Sequence, residues 1–149
     1  MKISICSDHG GYNYKQALVE HLKENGHEIV DFGCYDTVSC DYPDYALPAA
    51  ESVKDGKVQL GILICTTGIG MSIAANKVKG IRCAHCCDVE TARLTRNHND
   101  ANMLAIGAMT VSVEQMYDIA DTFISSVFDG GRHKRRVDKI MAIEAKYFK

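Results

Sequence analysis

The sequence predicts an α/β fold: a doubly wound, parallel five-stranded sheet with helices on both faces. Short apolar runs alternate with helix-period segments five times, the order a parallel sheet with crossover helices requires. One run, Leu60–Cys65, has no polar side, which suits a central strand covered on both faces. The chain has 149 residues, 46% of them apolar, enough for one domain with its own core.

The elements follow in order. Lys2–Ser7 reads as strand 1. Tyr14, Ala17, Leu18 and Leu22 recur at helical spacing, and Gly26 stops that helix. His27–Phe32 reads as strand 2, and Cys34–Pro43 as a loop. Asp44 is placed to cap a helix carrying Ala46, Leu47, Ala50 and Val53, with Pro48 near its first turn and Gly56 as its stop. After strand 3 (Leu60–Cys65), Thr66–Gly70 is a glycine-rich turn and Met71–Lys77 a short helix. Ile81–Cys86 is strand 4, Asp88 caps a helix through Arg96, and Met103–Ile106 is strand 5. Val113–Phe128 is a long helix with Met116, Ile119, Ala120, Phe123 and Val127 on one face. A last helix follows Gly130-Gly131. The expected architecture is Rossmann-like, a single domain over 1–149.

Composition excludes several classes. A net charge of -2 with no concentrated basic surface argues against nucleic acid as the main partner. Seven cysteines, an odd number in an ordinary composition, do not make a disulfide framework; a reduced, cytoplasmic protein is expected. The start, Met1-Lys2-Ile3-Ser4-Ile5, lacks a signal-peptide apolar core. Val58–Asn76 is free of charge but holds Gln59, Thr66, Thr67, Ser72, Asn76 and three glycines, so no membrane span is expected.

In an open parallel sheet, ligands bind beyond the carboxyl ends of the strands. That rule selects Ser7-Asp8-His9-Gly10-Gly11 after strand 1 and Cys65 to Gly70 after strand 3. In the second segment, glycines let the backbone approach a ligand, and free amides at a helix start favour negative charge. The same field favours a Cys65 thiolate, giving a base or nucleophile beside an oxyanion pocket. The spacing equally describes a glycine turn beside a buried core cysteine. It lacks the Gly-Lys-Ser/Thr ending of a Walker loop and the full dinucleotide glycine pattern. Asp8-His9 sits at a strand end, where position and residue type agree with function ahead of a simple cap.

Arg132 and Arg136 are four apart and, on a helix, share a face that can clamp one dianion; charge runs of this kind are more often exposed basic turns. Arg96-Asn97-His98-Asn99-Asp100 precedes strand 5 and so lies at the amino edge of the sheet, the wrong edge for its own chain's pocket. A catalytic His98 must therefore reach a neighbouring subunit; a plain polar turn is the default. Cys83 and Cys86 point to opposite faces of a strand, and no second Cys/His pair has zinc-finger spacing, so neither a metal nor a redox role is expected.

Asp8-His9, Asp41-Tyr42-Pro43, Cys65 through Asn76, His98-Asn99-Asp100 and Gly130-Gly131-Arg132-His133 with Arg136 form an ordered set across nearly the whole chain. In this set the chain resembles the type B ribose-5-phosphate isomerases, whose family also holds allose-6-phosphate isomerases and galactose-6-phosphate isomerase subunits. The resemblance implies a metal-free and cofactor-free aldose–ketose isomerase acting on a small sugar phosphate. Cys65 would be the base moving a proton between C1 and C2 through an enediolate, with Thr67 assisting at the oxygens. The Thr66–Gly70 turn, through the amides of Thr67, Gly68, Ile69 and Gly70, would hold the oxyanion. His98 with Asp8 would open the furanose ring. His9, Arg132 and Arg136 would hold the phosphate, and Tyr42 and Asn99 the sugar. It also implies a homodimer with a shared site, alone or paired into a tetramer, and a C-terminal helix packing on the partner. Thr66 departs from the glycine of many relatives, and Met109 from an arginine that helps some bind phosphate. A hexose-6-phosphate isomerase and a non-catalytic sugar-phosphate binder are the alternatives.

Overall fold

Leu60–Cys65 forms the central strand of the sheet, and all six residues are buried. In the computed structural model, which describes residues 1–149, the elements run β1 (Lys2–Ser7), a 3₁₀ turn (His9–Gly11), α1 (Tyr12–Glu24), β2 (Glu28–Asp31), α2 (Tyr42–Lys54), β3 (Leu60–Cys65), α3 (Ile69–Ala75), β4 (Cys83–His85), α4 (Val89–Asn99), β5 (Met103–Gly107), α5 (Val113–Ser125) and α6 (Arg132–Tyr147). The five strands are parallel, in the order β2-β1-β3-β5-β4.

Alternation along each strand divides the core into two layers. Ile3, Ile5, Leu60, Ile62, Ile64, Leu104 and Ile106 face one side, under Leu18 and Leu22 of α1, Ala92 of α4 and the apolar stripe of α5. Cys6, Leu63, Cys65, Met103 and Ala105 face the other, under α2 and α3. Gly61 allows this second layer to close, because a Cβ there would stand 2.5 Å from the Met103 methyl and 2.8 Å from Ser4 Oγ.

Several boundaries differ from expectation for local reasons. The helix expected to be capped by Asp44 starts earlier: Asp41 is its N-cap, and Pro43, which has no N–H to leave unpaired, occupies the first turn. Pro48 therefore lies inside α2 rather than in its first turn, where it forfeits the bond its N–H would have made to the preceding turn. α3 begins at Ile69, two residues before the expected Met71, because Gly68 adopts a left-handed cap conformation. β4 is only Cys83–His85, since as an edge strand it pairs with β5 alone. α5 ends at Ser125 instead of Phe128. Asn97 draws the following segment into a strap, donating to Val127 O at 2.7 Å and accepting from Asp129 N at 3.0 Å.

Candidate active site

β1 and β3 lie side by side, yet their connections leave on opposite faces, β1 into α1 and β3 into α3. This is the switch point at which an open parallel sheet leaves a crevice. The carboxyl ends of β1 and β3 meet there, just before Asp8 and Cys65: Asp8 N donates to Ile64 O at 3.2 Å. Asp8 Oδ1 accepts from Gly11 N at 3.0 Å, which fixes the carboxylate. Gly11 is needed for this approach, since a Cβ would stand 2.5 Å from Ile64 O.

The Cys65 side chain points into the α2/α3 layer and is 5% exposed. Gly68, with φ 80°, aims its N–H at Cys65 Sγ across 3.1 Å. Ile69 N donates to Thr67 Oγ1 at 3.3 Å. Of the four amides expected to face an oxyanion, Gly68 and Ile69 are thus turned inward onto side chains. Those of Thr67 and Gly70 make no hydrogen bond within the protein. Backbone donors fixed in this way cost no reorganisation when charge develops in front of them. Thr66 packs its hydroxyl over Gly10, and Gly107 lies under the Thr67 carbonyl, where a Cβ would come within 2.5 Å.

Two further side chains line the rim. The Tyr42 ring lies over Gly70, where a Cβ would stand 2.7 Å from it. His9 accepts a hydrogen bond at Nδ1 from the Cys40 amide at 3.2 Å, so the proton of the neutral ring sits on Nε2. The segment bearing Cys40 is anchored from beneath. Fully buried Lys15 donates to both Asp31 carboxylate oxygens at 2.7 and 2.9 Å and to Cys34 O at 2.6 Å. An apolar cavity of about 450 Å³ opens beside Tyr42 and Gly70, lined also by Leu47, Ile73, Ala74 and Val78.

The remaining candidates gather elsewhere. α4 ends where β5 begins, so His98 and Asn99 stand at the amino edge, as expected. The turn after them is clamped at Asp100 (φ 46°): Arg82 donates to its carbonyl at 2.7 Å, and Arg82 and Arg96 both reach its carboxylate. The first turns of α6 join them. His133 stacks on His98, with ring centroids 4.1 Å apart and planes within 8°. Arg132 and Arg136 are exposed with no acidic partner. Over the five residues of β5, at about 3.3 Å each, this group lies ~15 Å from the carboxyl rim, so Cys65 and His98 of one chain do not meet.

His98, Asp129 and His133 place their potential ligand atoms within 4.8 Å of one another. The imidazoles nonetheless meet face to face, so their in-plane lone pairs run side by side instead of converging on one ion. Cys83 and Cys86 do fall on opposite faces of the sheet. Burial pushes the Cys83 thiol far up and Cys86 up to about 11, which opposes the thiolate that metal binding and exchange need.

Four features of the site had no decisive signal in the sequence. The Cys40 amide, the Thr66–Gly10 contact and the His85 ring packed against Gly68 depend on chain segments far apart. His133 lies within a basic run that reads as surface, though it is itself buried.

Comparison with known proteins gives the family and the fold. The family model described as Ribose/Galactose Isomerase matches residues 3–140. The chain is 46% identical to ribose-5-phosphate isomerase B of Escherichia coli (strain K12) over 143 residues, 96% of each chain. A solved structure of Clostridium thermocellum ribose-5-phosphate isomerase B superimposes with a TM-score of 0.97 at 53% identity, covering 99% of both chains. That of ribose-5-phosphate isomerase B from Mycoplasma genitalium, with bound ribulose-5-phosphate, gives 0.92 at 43% identity and 97% of both. With its switch-point cysteine turn and a family match spanning nearly its full length, the chain belongs to the ribose/galactose isomerase family.

Proposed function

We propose that the chain is an aldose–ketose isomerase that interconverts ribose 5-phosphate and ribulose 5-phosphate, working as a homodimer whose two active sites are each shared between subunits. The observation that carries the reading is the pairing of Cys65 with the Gly68 N–H at the switch point. It places a sulfur with a fixed donor beside two unoccupied backbone amides. The carbon-to-carbon proton transfer of a sugar-phosphate isomerisation needs a base next to a carbonyl and donors for the oxyanion that forms.

In this mechanism His98 of one subunit and Asp8 of the other open the furanose ring. Cys65, as thiolate, takes the proton from C2 of the open aldose. The electron pair moves into the C1–C2 bond and the carbonyl oxygen becomes an enediolate oxygen, held by the Thr67 and Gly70 amides. Thr67 passes the proton between the two oxygens. Cys65 then returns its proton to C1, giving the ketose. His9 offers Nε2–H to the phosphate, Arg132 and Arg136 supply charge from the partner, and Tyr42 and Asn99 contact the sugar.

The split of the site supports the dimer. Each half stands beside uncovered apolar surface: Leu47, Ile69 and Ile73 next to the carboxyl rim, and Ile140, Ile143 and Tyr147 of α6 next to the amino-edge group. An apolar groove of about 660 Å³ between α6 and β4 continues the second surface. Joining unlike halves about a two-fold axis completes two sites and covers both patches. The reading also includes the C-terminal helix packing on a partner and a reducing, cytosolic setting, supported by seven unpaired thiols.

The test is a substrate panel of ribose 5-phosphate, allose 6-phosphate and galactose 6-phosphate, run on wild type and Cys65→Ala. The reading expects the highest kcat/KM for ribose 5-phosphate and a loss of at least ~10²-fold in the variant. Preference for a hexose phosphate would move the substrate and keep the chemistry. Saturable binding without turnover would identify a sugar-phosphate binder.

A further inference from the structure

His133 is the inward residue of the first turns of α6. It and Val137, one turn on, are buried, whereas Arg132 and Arg136 beside them are exposed. Its ring covers one face of the His98 ring at 4.1 Å and nearly parallel, and the Asp129 carboxylate borders both. The backbone around the pair is tied down. His133 N donates to Gly130 O at 3.1 Å, and Asp129 N to Asn97 O at 3.0 Å, which binds the start of α6 to the end of α4.

A general acid works only when its N–H points at the atom that receives the proton. An uncovered imidazole at a helix end turns about two side-chain bonds and sweeps its nitrogens through a wide arc. A flat ring packed against it removes one of those rotations. We propose that His133 is a positioning residue: stacked on His98, it holds the plane of that ring so that one edge faces the sugar bound on the partner's carboxyl rim. This rests on the functional reading above, in which His98 opens the furanose ring.

The electrostatics suit a neutral partner. Burial disfavours the charged form of His133 first, and the nearby His98, Arg132 and Arg136 add to this, against an opposing Asp129. The helix dipole at the start of α6, which repels cations, acts on the His133 ring in the same direction.

The experiment uses wild type, His133→Phe and His133→Ala. Three quantities are read: turnover of ribose 5-phosphate, solvent-deuterium exchange at C1 of ribulose 5-phosphate, and melting temperature. Ribulose 5-phosphate cannot form a furanose, because its 5-oxygen carries the phosphate. Exchange therefore reports the Cys65 step with no ring to open. His133→Phe, which keeps a flat stacking ring, is expected to hold both activities within about threefold of wild type. His133→Ala is expected to lose about tenfold or more in ribose 5-phosphate turnover while exchange stays near wild type. A His133→Phe variant that falls as far as His133→Ala overturns the proposal, because His133 would then carry the proton itself. Parallel loss of turnover and exchange in His133→Ala also overturns it, as that is the signature of packing alone. So does a His133→Ala variant indistinguishable from wild type. A wild type with no isomerase activity overturns the functional reading, and this inference with it.

Discussion

The Gly68 N–H reaches Cys65 Sγ across 3.1 Å only because the backbone at position 68 is left-handed. A Cβ there would stand 2.7 Å from the His85 ring and 2.9 Å from the Ile106 carbonyl carbon. Gly68→Ala therefore meets strain in the backbone and collision with it. The expected outcome is a stability loss of roughly 2–3 kcal/mol by denaturant titration and at least ~10-fold lower kcat. Adding His85→Ala restores little, because the Ile106 backbone still blocks the space. Substantial rescue by the double variant would contradict this account.

Gly10 and Thr66 are packed against each other, the Thr66 hydroxyl occupying the space a Gly10 side chain would need. Gly10→Ala is expected to cost about 1–3 kcal/mol and to disturb the turn beside Cys65. Thr66→Gly removes the obstruction, leaving Asp8 Oδ1 at an ordinary 3.4 Å from the new methyl. The pair should therefore be non-additive, and a double-mutant cycle with melting curves reads this directly.

Cys65 and His98 lie at opposite edges of one chain. If each active site draws on both subunits, Cys65→Ala and His98→Asn homodimers are both impaired, and a mixture refolded together regains activity. A statistical mixture with one intact site in each heterodimer reaches about a quarter of wild type. Recovery of nothing would mean that the two residues share no site across subunits.

The Lys15–Asp31 pair is unequal: the lysine side chain is 0% exposed and the aspartate 30%. Removing the aspartate strands a buried ammonium, whereas removing the lysine leaves a carboxylate that water can reach. Asp31→Ala should cost about 3–5 kcal/mol and Lys15→Met nearer 2. Equilibrium unfolding of the two variants checks the order. Both should also raise KM for the sugar phosphate, since the pair anchors the segment that orients His9.

The lowered proton affinity of His133 makes a statement about acid stability. Burial, with His98, Arg132 and Arg136, disfavours its charged form in the folded chain. The unfolded chain therefore binds the proton first as pH falls below the ordinary 6.5. Its contribution is fully present above that value and is lost progressively below it. Melting temperature against pH should fall more steeply in wild type than in His133→Phe between about pH 6.5 and 5. Matching slopes would show that His133 is no more reluctant to charge in the folded state than in the unfolded one.

Much of the fold was legible beforehand because it depends on local pattern. The unbroken apolar run of β3, the spacing of Leu18 and Leu22 in α1 and the Asp88 cap of α4 all appear where the periodicity placed them. The end of α5 departs from the periodicity where a side chain far along the chain intervenes, Asn97 pulling residues 126–129 away from the helix. The start of α2 departs for a nearer reason, the proline at its first turn.

From one-dimensional order alone came the parallel architecture, the two carboxyl-end segments at Asp8 and Cys65, and the displacement of His98 to the far edge. Strand direction and the order of elements dictate these without any knowledge of packing. The path of the Gly68 amide to sulfur, the tautomer of His9 set by the Cys40 amide, and the covering of His98 by His133 came only with the folded chain. The first turns on the left-handed backbone at Gly68, three residues beyond Cys65, which residue order does not dictate; the other two join segments some thirty residues apart and are settled by which surfaces fit at distances of three to four ångströms.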